Sequence, residues 1–468
     1  MKFLLVVPLL LALGTGHAAG EGKAPFHPGF CILDFPYTGP FPPGPLRKVT
    51  LTTAVWYPTG VAPARGHYET GAARVPTCVA RDAQPARRGA PFPLVVLCHG
   101  GNGWGTSLAV IAEHLAAHGY VVAAPDFVDF LPPDFRTEVY FGRTRGREGR
   151  TRGVVKPFAE TAKRTQGFAD WCNRNHEGAL TWFLLGRIRP ATFVLERLLE
   201  VSAGSGTRLA GLIDPERIAV SGHSAGGVTA LGLVGAHPDP AALEKRFRAA
   251  LIYSAPVLHG FCGHFQKIRV PLLLLVGDND APALNPTARR KTIFEGLSVP
   301  RYYRVCRETT HFSFSNPSMY ELDGRTLGEF RDADPGMRAL CRTSLAFLDR
   351  FLKGKEEAAA VLGRCGERCL YAAWEEKEGG LREAGKEPEP RKSKAIDSTL
   401  EFAGPGLVLE ALRKWTGAKQ RGDTETAERE AARARFIWEK LPERAREKMR
   451  RRYPNLEKTL EKLGESGD

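Results

Sequence analysis

The sequence predicts an α/β fold: a mainly parallel sheet with helices on both faces. Three observations lead there. The apolar runs at Phe92–Cys98 and 272–276 show no polar alternation, which fits strands buried on both faces. Helical periodicity recurs between such runs, as over 336–353, where Met337, Cys341, Leu345, Leu348 and Leu352 share one side. Strand and helix patterns alternate from 92 to 353, the pattern of parallel strands joined by crossover helices. The composition agrees: 43% hydrophobic and 25% charged over 468 residues excludes disordered, collagen-like and coiled-coil chains. The net charge of +14 favours anionic surfaces without naming one.

Residues 1–18 read as a signal peptide. Lys2 is followed by an apolar run over 3–13, too short to span a bilayer, and Gly16 and Ala18 supply the small residues before cleavage. A buried N-terminal helix is the alternative. No Cys closely follows the run, which argues against a lipid anchor, and no other segment has 18 consecutive apolar residues. The expectation is a secreted or periplasmic chain with no transmembrane segment in its mature form.

Residues 21–46, rich in Gly and Pro, read as an extended wrap. Alternation of Val49, Leu51, Thr53 and Val55 predicts a strand over 47–57, stopped by Pro58, and 59–90 reads as loop. Strands are then expected at 92–98, 120–124, 217–221, 249–254, 272–276 and 302–306. Helices are expected at 107–118, 189–201, 227–235, 287–297 and 336–353. An insertion at 130–186 interrupts the alternation and carries Arg143, Arg145, Arg147, Arg150 and Arg152. It reads as a lid over the site or as a solvated loop. The run lacks interleaved stacking aromatics, so no nucleic-acid partner is expected; contact with an anionic surface is. The α/β domain is taken as 19–370, followed by a charged linker over 371–397. Residues 398–468 form a helical C-terminal region, either packed on the main domain or a separate module. Its apolar positions include Leu407, Val408, Leu412 and Trp415, then Ala427, Ala431, Phe436 and Trp438, then Ala445, Met449, Tyr453, Leu456 and Leu460, with Pro454 interrupting the last stretch.

Nine cysteines are an odd number, so at least one thiol is free or pairs between chains. Cys98 reads as a buried thiol. Cys365 and Cys369 pair with each other or tie back to Cys306 or Cys341. Their C-x3-C spacing alone does not make a metal site.

The chemistry concentrates in Gly222-His223-Ser224-Ala225-Gly226, which follows a predicted strand and opens a predicted helix. A serine on such a turn projects its hydroxyl above the sheet. The hydroxyl needs a base, and the base an orienting acid. Both follow in the order this motif uses. Gly277-Asp278-Asn279-Asp280 ends one strand, and Thr310-His311-Phe312 follows another. His311 is taken as the base. The acid is Asp280 or Asp278, with Asp280 preferred because the chain has turned further there. His99 and His223 are motif neighbours, and His259 and His264 lack the expected position. An oxyanion hole requires two backbone donors. Ala225 is one. Gly101 is chosen for the other, in the glycine-rich loop 99–105, with Asn102 as the second choice. Trp104 walls the acyl pocket or packs the loop.

These residues carry a resemblance. The run 92–100 resembles the oxyanion strand of α/β-hydrolases. Tyr37 to Pro45 with Trp56-Tyr57-Pro58, the segment His118-Gly119-Tyr120-Val121-Val122, Asp214-Pro215-Glu216-Arg217-Ile218 before the serine motif, and His311-Phe312-Ser313-Phe314 narrow it. Over 30–353 the chain is similar to predicted dienelactone hydrolases and secreted platelet-activating-factor acetylhydrolases. The resemblance implies an α/β-hydrolase fold of the eight-stranded type. It implies Ser224 as nucleophile, His311 as base, an Asp in the 278–280 loop, and Gly101 and Ala225 as oxyanion donors. The chain departs from dienelactone hydrolases, known for a Cys nucleophile, by its Ser, and the basic insertion and tail lie outside the likeness.

The expected function is a secreted serine hydrolase that cleaves small-molecule or lipid carboxylic esters through an acyl-serine intermediate, with no metal or organic cofactor. The alternatives are an amidase or peptidase with the same triad, and a non-catalytic binding protein on the same scaffold.

Overall fold

The computed structural model describes residues 24–41, 46–70, 73–101, 103–128, 143–145, 151–153, 171–172, 174–280, 287–317, 322–376, 380–386, 408, 411–412, 415–441 and 443–463. The segment read as a signal peptide lies outside them. The strands are β1 (His27–Pro40), β2 (Leu46–Thr59), β3 (Ala64–Thr70), β4 (Ala73–Arg81), β5 (Phe92–Cys98), β6 (Val121–Pro125), β7 (Arg143–Arg145), β8 (Thr151–Gly153), β9 (Ile213–His223), β10 (Phe247–Tyr253), β11 (Leu272–Asn279), β12 (Arg301–Thr310), β13 (Cys369–Glu375) and β14 (Arg382–Gly385). All but β7 and β8 form one open sheet in the order β14-β13-β12-β11-β10-β9-β5-β6-β2-β1-β4-β3. The six neighbours from β12 to β6 are parallel. The long β1–β2 pair joins β6 antiparallel through β2.

The apolar strands place the sheet in the middle of the molecule. Every residue of β5 is buried. Leu94, Val96 and Cys98 enter one core, Val95 and Leu97 the other. In β11, Leu272, Leu274 and Val276 divide from Leu273 and Leu275 in the same way. Helices Arg189–Ala203 and Ala225–Leu231 cover the first face through Val194, Leu198, Val228 and Leu231. Helices Ala109–Ala117 and Pro335–Leu352 cover the second through Ile111, Leu115, Phe347 and Leu348. Each such side chain contributes about 1.5–3 kcal/mol by leaving water. The long helix starts sharply because Pro335 fits its first turn and the Asp334 carboxylate accepts the Met337 N–H at 2.7 Å.

Several expectations need correction. The extended wrap expected over 21–46 holds a full strand at 27–40, and β2 runs through Pro58 instead of stopping there; Pro58 pairs with Pro28, so two residues without an N–H face each other. The stretch read as loop contains the hairpin β3–β4. Its arginines and Pro76 mask a pattern in which Tyr68, Val75 and Val79 turn into the core. The supposed linker from 371 contains most of β13, with β14 following, and both extend the sheet. Placing a boundary at 370 divides the run Leu370-Tyr371-Ala372-Ala373-Trp374, whose middle three residues are buried.

Within the insertion, β7 and β8 pair as a ribbon, and Arg147 and Arg150 lie outside the described residues. Its last part, helix His176–Phe183, is core: Asn175 caps it, and Ala179, Trp182 and Phe183 are buried. The tail forms helices Thr424–Lys440, Glu443–Arg452 and Leu456–Lys462 around a separate apolar cluster that includes Val408, Ala434, Trp438, Met449 and Leu460. Cys365 is bonded to Cys369, and Cys98 is a buried thiol. Among the described residues no helix is long and apolar enough to cross a membrane.

Candidate active site

Strand β9 ends at His223 and the next helix starts at Ala225, so Ser224 alone makes the turn. Its φ is 55°, a left-handed conformation that costs a non-glycine residue energy and is held by its surroundings. Those surroundings explain the flanking glycines. A Cβ on Gly222 would stand 2.2 Å from the Gly226 carbonyl oxygen, and one on Gly226 would stand 2.0 Å from the Cys98 oxygen. Strand β5, the turn and the helix therefore approach at backbone distance.

His311 follows β12 and opens a single 3-10 turn, His311–Phe314. Its Nε2 lies 2.9 Å from Ser224 Oγ, and its Nδ1 lies 2.8 Å from Asp280 Oδ1. Asp280, just past β11, is buried. Asp278 turns elsewhere and accepts the Thr309 N–H at 3.0 Å, bracing the two strand ends below the histidine. Only Asp280 of the pair meets the imidazole. Burial alone would push the Asp280 carboxyl up, but Arg290 and then His311 outweigh it and hold it below the usual carboxylate value. The ionised carboxylate accepts from Nδ1–H, which leaves Nε2 to accept from the serine hydroxyl.

Two further side chains support this line, Arg290, which the sequence does not single out, and His223, expected only as a neighbour of the serine. Arg290, in helix Thr287–Glu295, places Nη1 2.9 Å from Asp280 Oδ2 and donates from Nε to the Ala255 carbonyl at 3.1 Å. In sequence it sits in Arg289-Arg290-Lys291, which looks like a solvated basic patch. His223, inside the serine motif, hydrogen-bonds through Nε2 to the His311 carbonyl at 2.7 Å. Burial, and then the neighbouring His311, push His223 down to about 3. It is neutral at ordinary pH and donates from Nε2. The turn thus carries Ser224 and also anchors the backbone of His311.

On the other side of Ser224 runs the glycine-rich loop after β5. A Cβ on Gly100 would lie 3.3 Å from the Ser224 Cβ, so the chain passes directly against the serine. Gly101, the next residue, is exposed with open space at its α-carbon. Ala225 is buried at the helix start. Asn102 lies outside the described residues. Trp104 donates its backbone N–H to Ser107 Oγ at 2.7 Å and leads into the turn Gly105–Leu108. Among the described residues, no three His, Cys, Asp or Glu side chains gather as a metal site. A strained serine, an imidazole with a free acceptor nitrogen and a buried ionised carboxylate in line can perform nucleophilic acyl transfer.

No family model matches the sequence. The chain is 25% identical over 303 residues to the platelet-activating factor acetylhydrolase of Gallus gallus, covering 60% of this chain and 67% of that protein. It is 22% identical over 291 residues to the acetylhydrolase of the same name from Cavia porcellus, covering 60% and 62%. For the one from Canis lupus familiaris the figures are 28% over 201 residues, 41% and 41%. The chain therefore spans two thirds or less of the length of these relatives. A ferulic acid esterase from Streptomyces cinnamoneus aligns in structure with a TM-score of 0.46 and 19% identity, over 72% of this chain and 93% of that one. The open, largely parallel sheet and the serine turn between strand and helix have the arrangement of an α/β-hydrolase fold, and the sequence is similar to the platelet-activating factor acetylhydrolases.

Proposed function

We propose that the chain is an exported serine esterase that works through an acyl-serine intermediate. The observation that carries this reading is the continuous line from Ser224 through His311 to Asp280, with contacts of 2.9 and 2.8 Å. Ser224 Oγ attacks the ester carbonyl while His311 Nε2 takes its proton. Asp280 holds the imidazole in the tautomer that leaves Nε2 free and stabilises the imidazolium that forms. The backbone N–H groups of Gly101 and Ala225 bind the developing oxyanion. His311 then gives its proton to the leaving alkoxide, and water repeats the cycle on the acyl-serine. Every proton has a carrier without a metal or cofactor.

Carboxylic esters are the favoured substrates. Alkoxide leaving groups need less help than amines, and the matched relatives bear the name acetylhydrolase. Small or lipid esters both fit the chemistry, and the basic run of the insertion suits an anionic substrate or interface. The charged, short-hydrophobic N-terminus supports export. The test is an acyl-length series of p-nitrophenyl esters beside the matched p-nitroanilides. Esters are expected to turn over well ahead of the anilides. Anilide turnover equal to or faster than ester turnover would move the reading to an amidase.

A further inference from the structure

The loop that passes Ser224 is held from behind by a buried cation. Arg187 has no solvent-exposed surface. Its Nη1 donates to the His99 carbonyl at 2.6 Å and its Nη2 to the Gly100 carbonyl at 3.2 Å. The guanidinium lies over the rings of Phe127 and Trp182, 5.0 and 5.8 Å from their centroids. It belongs to a one-turn π-helical stretch, Leu184–Ile188, between helices His176–Phe183 and Arg189–Ala203. Such wide turns are uncommon and recur at functional positions. The Gly100 carbonyl takes two further bonds, from His99 Nδ1 at 2.7 Å and from the Gly103 N–H at 3.1 Å. The Phe127 N–H donates to His99 Nε2 at 3.0 Å, so Nδ1 carries the proton and is a true donor.

A trans peptide is planar, with its C=O and N–H pointing in opposite directions. Holding the His99 oxygen therefore aims the N–H of Gly100, and holding the Gly100 oxygen aims the N–H of Gly101. Glycines at both positions would otherwise let these units rotate freely. We propose that Arg187 is a positioning residue for the oxyanion: it fixes the carbonyls of His99 and Gly100 on the buried side of the loop and thereby turns the Gly101 amide to the side of the loop that faces Ser224. This rests on the esterase reading, with Gly101 as an oxyanion donor. A planar, forked cation suits the task because one side chain must hold two successive carbonyls. A lysine in its place keeps the charge but has no rigid fork.

The test compares Arg187→Lys and Arg187→Ala with the unaltered chain, each corrected for active sites by fluorophosphonate titration. The readouts are kcat, KM and inhibition by a trifluoromethyl ketone, which forms an oxyanion on the serine. Loss of one well-placed donor costs about 10²–10³ in rate, and loosening one is expected to cost about 10–100. The expected result is a fall of that size in kcat, KM within about threefold, and weaker ketone inhibition by the same factor as kcat/KM. Added guanidinium should restore part of the Arg187→Ala rate. A merely structural role would lower the titrated fraction and leave the surviving sites with normal kcat and ketone affinity. That result, in either variant, would overturn the proposal. If the alanine variant does not fold, the lysine variant decides alone. Failure of the esterase reading looks different: the unaltered chain itself would neither turn over esters nor take the fluorophosphonate.

Discussion

Nη1 of Arg290 stands 2.9 Å from Oδ2 of Asp280, and neither side chain reaches solvent. The other oxygen of the same carboxylate holds His311. The acid of the proposed triad is thus one half of a buried ion pair. Breaking such a pair from one side costs about 3–5 kcal/mol, because the remaining charge is left buried and alone. Arg290→Met is expected to lose stability of that order in urea unfolding. Adding Asp280→Asn to it should recover part of the loss, since the amide carries no charge to strand. Simple additivity of the two substitutions would show that the pair is not coupled.

The two aspartates at the end of β11 have different work, and their variants should separate. Asp280→Asn permits the wrong histidine tautomer and is expected to cost about 10⁴ in kcat. Asp278→Asn keeps an acceptor oxygen for the Thr309 N–H and loses only the charge, with an expected cost of about tenfold or less, since the imidazole keeps its acid. Steady-state kinetics on p-nitrophenyl acetate decides this. The reverse order would transfer the acid role to Asp278.

Glu113, on helix Ala109–Ala117, is buried and accepts hydroxyl bonds from Thr77 and from Tyr68, the latter at 2.8 Å. Burial pushes its carboxyl up from the usual 4.5 to about 7, against the lowering pull of Thr77, Tyr68 and Arg331. A raised carboxyl pKa means that the folded state binds the proton more tightly than the unfolded chain does. Its stabilising effect is complete below about pH 4.5 and disappears as pH rises through about 7, a change of about 3 kcal/mol. Glu113→Gln keeps an acceptor oxygen without the charge. Its stability relative to the parent chain should rise between pH 5 and 8 by an amount of that order. A stability difference independent of pH would contradict this account.

The tail helices gather around their own apolar cluster rather than extending the two cores of the sheet. A chain ending after Lys386 retains β13 and β14 and should remain soluble, with a melting temperature and ester turnover close to those of the full chain. Aggregation on truncation would show that the tail covers core surface.

The parallel strands and the positions of Ser224, Asp280 and His311 are legible because their signals are local. An unbroken apolar run such as 272–276 declares a doubly covered strand, and Gly222 to Gly226 declares a turn with no room for side chains. The edges were not legible. Strands β3, β4 and β14 each face solvent on at least one side, and their arginines, glycines and charges look like loop. Arg187 and Arg290 were invisible for another reason. Nothing near them in sequence distinguishes a buried arginine from a solvated one, and their partners lie 87–88 and 10 positions away. In sequence His223 is only a neighbour of the serine, whereas its bond to the His311 carbonyl joins two segments that only the folded sheet brings together.

Ser224 is proposed as the nucleophile, and fluorophosphonate labelling followed by peptide mapping reads this out on the residue itself. The expected result is one label per chain, on the peptide containing Ser224, lost in Ser224→Ala together with a fall of about 10⁴–10⁶ in kcat and no loss of folded protein. Ester turnover in pure Ser224→Ala within about tenfold of the unaltered chain would contradict it.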